Sequence, residues 1–389
     1  MKTKIEKVLT KNVSEVFPSK KRLACLMEKK KIRIYLGIDP TGGNLHLGHT
    51  IVLKKLQEFA VLGHKVFLVV GTGTVLAGDP SLRNSARLKV SEKEIKENVR
   101  TWKKQVGKII DLSKIEIKYN GEWLLKLKLK DIINIGSNLS AVRLFQREMF
   151  QRRIKKGDTV LFSETMYPLL QGYDSVVLDA DLEIGGSDQV FNMLIGRELQ
   201  RKMKNREKYV LTMLMALGTN GKQMSKTSGN CIWILDSPEQ KFGKIMSIPD
   251  NLIIPYFKLF TNYSFPSIQR LKKRMAPAAL KRKLAFSIVA MYHSKKEAEK
   301  SGKSFNRIFK EKKQPSNIPE ISIKRKNMNI LDLLFKAKLV SSKAEAKRML
   351  IQNGVRIDGK VKNNWKEELQ IKKGQVLQVG KRRFVKIAN

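Results

Sequence analysis

The spacing of hydrophobic positions changes along the chain, and each change marks an element. Ile32, Ile34, Leu36 and Ile38 alternate with other residues, the two-residue period of a strand. Asp39-Pro40-Thr41-Gly42-Gly43-Asn44 follows as turn chemistry, with Asn44 the expected N-cap of a helix. Ile51, Leu53, Leu56 and Phe59 then recur at helical spacing. A second apolar run, Val66-Phe67-Leu68-Val69-Val70, ends in Gly71-Thr72-Gly73 and predicts a second buried strand. Strand, helix and strand form a βαβ unit, which implies a parallel sheet. Gly78-Asp79-Pro80-Ser81 is then a turn at the carboxyl edge of that sheet, where open α/β folds bind ligands.

The same logic extends along the chain. Residues up to Lys31 read as a basic helical leader. Ser91 with Glu94 three residues on is a capping box that opens a helix over residues 91–106. Residues 115–119 predict a short strand, and 141–154 a helix of mixed charge. Ile184-Gly185-Gly186-Ser187-Asp188-Gln189 repeats the opening pattern of strand, glycines and helix N-terminus. Leu211 to Leu217 is apolar and runs into a basic loop over residues 221–230. Helical patterns fill residues 238–310, and residues 311–319, polar and broken by Pro315 and Pro319, read as a linker. From Asn329 come two helical patterns and short strands around Val355, Val376 and Phe384. The predicted fold class is α/β: a Rossmann-like parallel-sheet domain, a helical domain and a small α+β tail.

Composition adds three constraints. With 389 residues the chain is long enough for two or three domains. Its 78 basic and 35 acidic residues give a net charge of +43, which points to a polyanionic partner such as nucleic acid. Lysine-rich drift over solvated surfaces contributes as well, so the charge does not locate a site. Cys25 and Cys231 form neither a disulfide framework nor a metal pair, and the four histidines are too few and scattered for a zinc centre. We therefore expect a reducing compartment and no metal-ligand set. No apolar run approaches the roughly 20 residues of a membrane span, and the first residues lack an apolar signal segment. The expectation is a cytoplasmic protein without a membrane partner.

The chemistry is concentrated in a few motifs. His46-Leu47-Gly48-His49 opens a helix, whose free amides and macrodipole attract phosphate. Two histidines on one turn are a weak signal alone. Downstream lies the loop Lys222-Gln223-Met224-Ser225-Lys226-Thr227. The pair, in this order and context, resembles the class I aminoacyl-tRNA synthetases, whose signatures are a His-Ile-Gly-His type motif and a Lys-Met-Ser-Lys-Ser loop. The first lysine of that loop aligns with Gln223, with Lys222 one residue earlier; Met224, Ser225 and Lys226 match. Tyr35-Leu36-Gly37-Ile38-Asp39-Pro40-Thr41, Gly78-Asp79-Pro80-Ser81, Tyr167 with Gln171 and Asp174, and Gly185-Gly186-Ser187-Asp188-Gln189 narrow the resemblance to bacterial-type tyrosyl-tRNA synthetases. It spans about residues 32–260. Residues 331–359 resemble the S-four-like RNA-binding fold.

That resemblance implies roles residue by residue. Tyr35 and Asp174 would bind the phenolic hydroxyl of L-tyrosine, Asp79, Tyr167 and Gln171 its ammonium, with Gln189 near its carboxylate. Gly37, Asp39, Thr41, Gly48, Met224 and Ser225 would flank ATP, with Asp188 on the ribose. His46, His49 and Lys226, with Lys222, would act at the phosphates, and Arg83 and Arg87 would belong to a basic loop that closes on pyrophosphate. Lys343, Lys347, Arg348 and Arg356 would contact tRNA(Tyr). Taken singly, Tyr35 and Tyr167 read equally as core aromatics, Asp174 as a helix cap, Asp79 as a turn residue, and Arg83 and Arg87 as solvated face. Taken with the two signatures they read as a site. The implied reaction activates tyrosine with ATP and transfers it to the 3′-terminal adenosine of tRNA. The substrate carboxylate is the nucleophile, so no Ser–His–Asp arrangement is required; Mg²⁺ on the leaving phosphates follows from general phosphoryl chemistry. The implied domains are catalytic (1–235), helical and tRNA-binding (236–312), a linker (313–328) and an RNA-binding tail (329–389), in a homodimer with residues 144–153 at the interface. The rivals are a tryptophanyl enzyme and an RNA-binding protein that has lost activation, the latter hinted at only by Gln223.

Overall fold

The computed structural model describes residues 2–81, 91–226, 228–309, 318–323, 327–380 and 383–388. The chain forms two compact units, residues 1–295 and 296–389. The first is built on six strands: β1 Val13–Phe17, β2 Arg33–Ile38, β3 Lys65–Val70, β4 Glu116–Tyr119, β5 Leu182–Gly186 and β6 Tyr209–Met213, in the order β1-β6-β5-β2-β3-β4. All neighbours are parallel except the antiparallel pair β1–β6. The central strands are mostly apolar because helices cover both faces; all five residues of β6 are buried.

The helices of this unit are α1 Lys2–Val8, α2 Lys20–Lys29, α3 Leu47–Val61, α4 Thr74–Ala77, α5 Glu92–Val106, α6 Gly121–Leu124, α7 Leu129–Gly136, α8 Ala141–Phe145, α9 Glu148–Lys155, α10 Phe162–Leu178, α11 Val190–Lys204, α12 Pro238–Met246, α13 Ile253–Phe260, α14 Phe265–Arg274 and α15 Pro277–Tyr292. Ser91 and Glu94 form the predicted capping box of α5. No helix among the described residues is long and apolar enough to cross a membrane.

Two predicted elements come out differently. The leader is not wholly helical, because β1 pairs with β6 from nearly 200 residues away and has the mixed exposure of an edge strand. The helix expected over 141–154 is two, α8 and α9, broken where Arg147 takes an extended ψ of 128° and buries its guanidinium over Phe191, 4.7 Å from the ring centroid. Helix α10 continues through Pro168 and packs on α11 where Gly172 meets Gly196: a β-carbon on Gly172 would stand 3.1 Å from Gly196 backbone atoms.

The second unit holds the later helices α16 Lys295–Phe309, α17 Ile330–Lys336 and α18 Lys343–Ile351. Its strands are β7 Glu320–Ile321, β8 Asn327–Asn329, β9 Val355–Ile357, β10 Lys360–Lys362, β11 Glu368–Gln370, β12 Val376–Val379 and β13 Arg383–Ile387. One sheet has the order β10-β9-β12-β13-β7, and β8 pairs with β11. Ile330, Leu333, Leu334, Leu350, Val355, Leu377 and Ile387 form its core. Lys343, Lys347, Arg348 and Arg356 are all exposed. Lys343 pairs with Asp332, Lys347 lies 4.1 Å from the Trp365 ring centroid, and Arg356 donates to the Gly359 carbonyl. The predicted linker falls mostly on residues outside those described.

The α10–α11 crossing leaves no room for a methyl group. Gly172→Ala should lower stability by about 1–3 kcal/mol through overpacking, read as an earlier urea midpoint at unchanged m-value; an unchanged midpoint would mean the helices part freely.

Candidate active site

Strand β2 continues to β3 on one side of the sheet and β5 to β6 on the other, which opens a crevice at their carboxyl ends. A cleft of about 320 Å³ lies there, lined by residues from β2, the following turn, α3, α10, the β5–α11 turn and the segment after β6. That volume suits a small ligand.

The turn after β2 is held from outside by α5. Asn98 Nδ2 donates to the Pro40 carbonyl (2.9 Å), Trp102 Nε1 to that of Gly42 (2.7 Å) and Gln105 Nε2 to that of Gly43 (2.7 Å). Gln105 Oε1 accepts from the Leu45 amide at 2.8 Å. The three side chains stand four and three residues apart on one helical face. The turn therefore has its backbone polar groups met without the cap expected from Asn44. His46 caps α3 instead: its Nδ1 accepts from the Gly48 amide (3.2 Å), while its own amide donates to His49 Nδ1 (3.1 Å). Gly48 is required there, because a β-carbon would stand 2.9 Å from the His46 ring.

This geometry fixes the histidines' chemistry. Burial pushes His46 down to about 2, helped by His49, and burial pushes His49 down to about 4 against the hydrogen bond from the His46 backbone. Both rings are neutral at physiological pH. Since each Nδ1 accepts, each Nε2 carries the hydrogen and is a donor. The rings lie 3.9 Å apart and both line the cleft.

At another wall, Tyr167, Gln171 and Asp174 share one face of α10 and all line the cleft. Asp174 is buried, and both its oxygens accept: Oδ2 from Asn120 Nδ2 at 3.0 Å and Oδ1 from Trp123 Nε1 at 2.9 Å. Burial pushes its pKa up to about 8 against these two donors. Tyr167 hydrogen-bonds Asp39, and burial raises its phenol. Asp39 also accepts from Thr74 Oγ1 at 2.8 Å. Gln171 Nε2 donates to Glu183 Oε1 at 3.0 Å. Asp79 accepts from the Ser81 amide and, at 2.8 Å, from Gln189 Nε2. Asp188 lines the cleft, its pKa raised by burial and then by Asp79. Gly37 and Thr41 also line it.

Tyr35 does not. It is fully buried, and its hydroxyl shares a 2.7 Å hydrogen bond with Ser175 Oγ, beside the Lys208–Glu183 ion pair. The side chain packs against Phe67, Val69, Leu178 and Ala180, with Glu183 and Asp174 near enough to raise its phenol beyond what burial does.

The basic loop is brought to the turn after β2. Lys226 Nζ lies 2.8 Å from where a β-carbon on Gly42 would stand. Gln223 and Met224 line the cleft, Ser225 is half-buried beside it in sequence, and Lys222 and Lys226 are exposed. The loop is organised by buried Asn230, whose Oδ1 accepts from the Ser225 amide (3.0 Å) and whose Nδ2 donates to the Gln223 carbonyl (2.9 Å). Arg83 and Arg87 lie outside the described residues. Sequence reasoning missed Asn120, Trp123, Glu183 and Asn230. Asn120 alone carried a signal, as the residue just past a predicted strand.

The chain matches two family models. One, described as tRNA synthetases class I (W and Y), covers residues 27–310; the other, the Tyrosine--tRNA ligase SYY-like C-terminal domain, covers 310–387. The chain is 40% identical to the tyrosine–tRNA ligase of Thermotoga maritima, over 98% of this chain and 96% of that protein. It is 42% identical to that of Bordetella avium, over 92% and 88%. Its fold resembles a C-terminally truncated mitochondrial tyrosyl-tRNA synthetase of Aspergillus nidulans (TM-score 0.66, 22% identity, 79% of this chain and 94% of that one). It also resembles the Archaeoglobus fulgidus tyrosyl-tRNA synthetase complexed with L-tyrosine (TM-score 0.63, 22% identity, 78% and 100%).

The histidine geometry is directly testable. Imidazole ¹⁵N shifts of His46 and His49 should remain those of the neutral ring from pH 8 down to pH 5, since burial disfavours the charged form. A titration midpoint near the usual histidine value would overturn the assignment.

Proposed function

The chain belongs to the class I tRNA synthetases of the tryptophan and tyrosine branch, and we propose that it ligates tyrosine to tRNA through the cleft at the carboxyl ends of β2 and β5. The observation that carries this is Asp174: a buried carboxylate at the cleft wall, oriented by two donors, with lone pairs left to accept a phenolic hydroxyl. Phenylalanine in the same place would leave that buried group unmatched, which disfavours it.

The remaining roles follow from neighbouring chemistry. Asp79, Tyr167 and Gln171 hold the ammonium of tyrosine, and Gln189, tied to Asp79, stands near its carboxylate. ATP lies along Gly37, Asp39, Thr41 and Gly48, with Asp188 on its ribose. The tyrosine carboxylate oxygen attacks the α-phosphorus, the bond to the bridging oxygen breaks, and pyrophosphate leaves. A hydroxyl of the terminal tRNA adenosine then attacks the tyrosyl carbonyl and releases AMP. The protein supplies position and charge rather than a nucleophile. Nε2–H groups of neutral His46 and His49 donate to the negative charge that grows on phosphate.

Among the described residues the cleft is lined by aspartates and by no Lys or Arg. Cationic help for the leaving group comes from the loop that reaches Gly42: Lys226 foremost, backed by Lys222, with Met224 and Ser225 seating it. Arg83 and Arg87 are assigned to the same task. Among the described residues no three or more His, Cys, Asp or Glu side chains cluster as a metal site, so Mg²⁺ enters as the counter-ion of ATP and is part of that substrate.

The second unit supplies exposed Lys343, Lys347, Arg348 and Arg356 for tRNA phosphates. We also assign a homodimer in the cytoplasm. In support, Leu129, Ile133, Val142, Phe145, Ile154 and Phe162 are 40–77% exposed over one stretch of chain that includes 144–153, an apolar face that a second copy would cover.

ATP–pyrophosphate exchange tests the assignment. Exchange should depend on tyrosine; dependence on tryptophan instead, or none at all, would overturn it. Lys226→Ala should slow exchange about 10²-fold, as expected for losing one transition-state charge contact, with tyrosine affinity unchanged. Exchange kcat/KM for tyrosine should rise as pH increases through about 8, where Asp174 ionises and becomes an acceptor. Asp174→Asn should remove that limb; a flat profile in the parent enzyme would separate Asp174 from the phenol.

A further inference from the structure

Behind the cleft lies a buried polar cluster that the mechanism above does not use. Glu183 on β5 and Lys208 beside β6 form an ion pair with both side chains fully buried. Lys208 Nζ also donates to Ser175 Oγ at 2.7 Å. The other oxygen of that carboxylate, Glu183 Oε1, accepts from Gln171 Nε2 at 3.0 Å. Gln171 Oε1 is buried and has no protein partner. Such a cluster is costly to desolvate, and an apolar replacement would fill the same space.

The chemistry of a carboxylate explains what it does. An ionised carboxylate only accepts hydrogen bonds, so a carboxamide facing it must present its NH₂. The other end of Gln171 is then necessarily its oxygen. Without Glu183 the amide could turn over and offer NH₂ groups to the cleft. An ammonium has three donors and no acceptor, so it is bound by the oxygen and repelled by the NH₂.

We propose that the buried Lys208–Glu183 pair is a positioning element that locks the Gln171 carboxamide with Nε2 on Glu183 and Oε1 left unpaired, so that the site selects the ammonium of its amino-acid substrate. This rests on the assignment of Gln171 to that ammonium. Lys208 holds the carboxylate in place and takes one of its oxygens, leaving the other for Gln171. In Glu183→Gln, Lys208 takes the new carboxamide's oxygen, because it can only donate. The new NH₂ then faces Gln171 and turns its amide the wrong way round.

Equilibrium dissociation constants for two probes test this: L-tyrosine, and 3-(4-hydroxyphenyl)propanoate, which keeps phenol and carboxylate but lacks the ammonium. Glu183→Gln should weaken tyrosine about tenfold or more, the scale of one hydrogen bond to a charged group, and leave the propanoate unchanged. Because that variant strands a buried lysine, Glu183→Leu/Lys208→Met is made beside it. The double variant restores an apolar fill, frees the amide, and should show the same selective loss. Equal weakening of both probes would mean a general collapse of the pocket and overturn the proposal, as would tyrosine binding at parental strength in the double variant. Gln171→Ala separates this failure from failure of the underlying assignment. If Gln171→Ala loses tyrosine selectively while the Glu183 variants do not, only the positioning role falls. If Gln171→Ala loses both probes equally, or neither, Gln171 does not bind the ammonium and both fall.

Discussion

Two adjacent parallel strands, β2 and β5, send the chain to opposite sides of the sheet, and the site depends on that division. Side chains at their carboxyl ends cannot be covered by a continuous connection, so a crevice remains. Backbone groups emerging into it must still find partners. For the β2 turn they come from α5, whose Asn98, Trp102 and Gln105 meet the carbonyls of residues 40–43 and the amide of Leu45. The turn is thus fixed by a helix some 60 residues away in sequence, and α3 begins in one defined place. His46 and His49 owe both their position and their neutral state to that start.

Charge is divided in an instructive way. The chain carries +43, yet among the described residues the cleft is lined by Asp39, Asp79, Asp174 and Asp188 and by no lysine or arginine. An anionic cleft suits the ammonium of an amino acid and opposes a nucleotide. On the proposed roles the neutral histidines would donate hydrogen bonds without adding charge, and Lys226, against Gly42, would bring the positive charge that phosphates need. A site with fixed lysines inside would pair them with these aspartates and weaken both functions. Keeping the cation on a separate loop lets the two substrates be met by different means.

Much of this was legible from the sequence where the determinants are local. The period of residues 32–38, the glycine turns and the Ser91–Glu94 box each depend on neighbours within a few positions, and each gives the expected element. The losses are at long range. Strand β1 exists only because β6 offers an edge. Arg147 breaks a helix because Phe191, far along the chain, offers a ring. Asn120 and Trp123 matter only because α10 brings Asp174 to them, and Asn230 only because it gathers the polar groups of a loop. His46 caps α3 in place of Asn44, and Gln105 meets the Gly43 carbonyl and the Leu45 amide, which no window around residue 44 reveals.

Tyr35 belongs to the polar layer beneath the cleft. Motif position assigns it to the substrate's hydroxyl, and here its own hydroxyl pairs with Ser175, which also accepts from Lys208. Three hydroxyl and ionic groups therefore satisfy one another behind the cleft, and burial raises the Tyr35 phenol, so it stays neutral. On the proposed roles, Asp174, whose donors Asn120 and Trp123 leave room for one more hydrogen bond, would meet the phenol, and Gln171, tied to the same buried cluster through Glu183, would meet the ammonium. On these roles a single polar layer beneath the cleft would bear on both ends of the amino acid: Ser175 follows Asp174 in sequence, and Glu183 accepts from Gln171. A change that disturbs this layer would be felt at both ends of the substrate unless it acts on one hydrogen bond alone, which is why the hydrogen bond from Gln171 to Glu183 Oε1 is the place where the two ends can be separated.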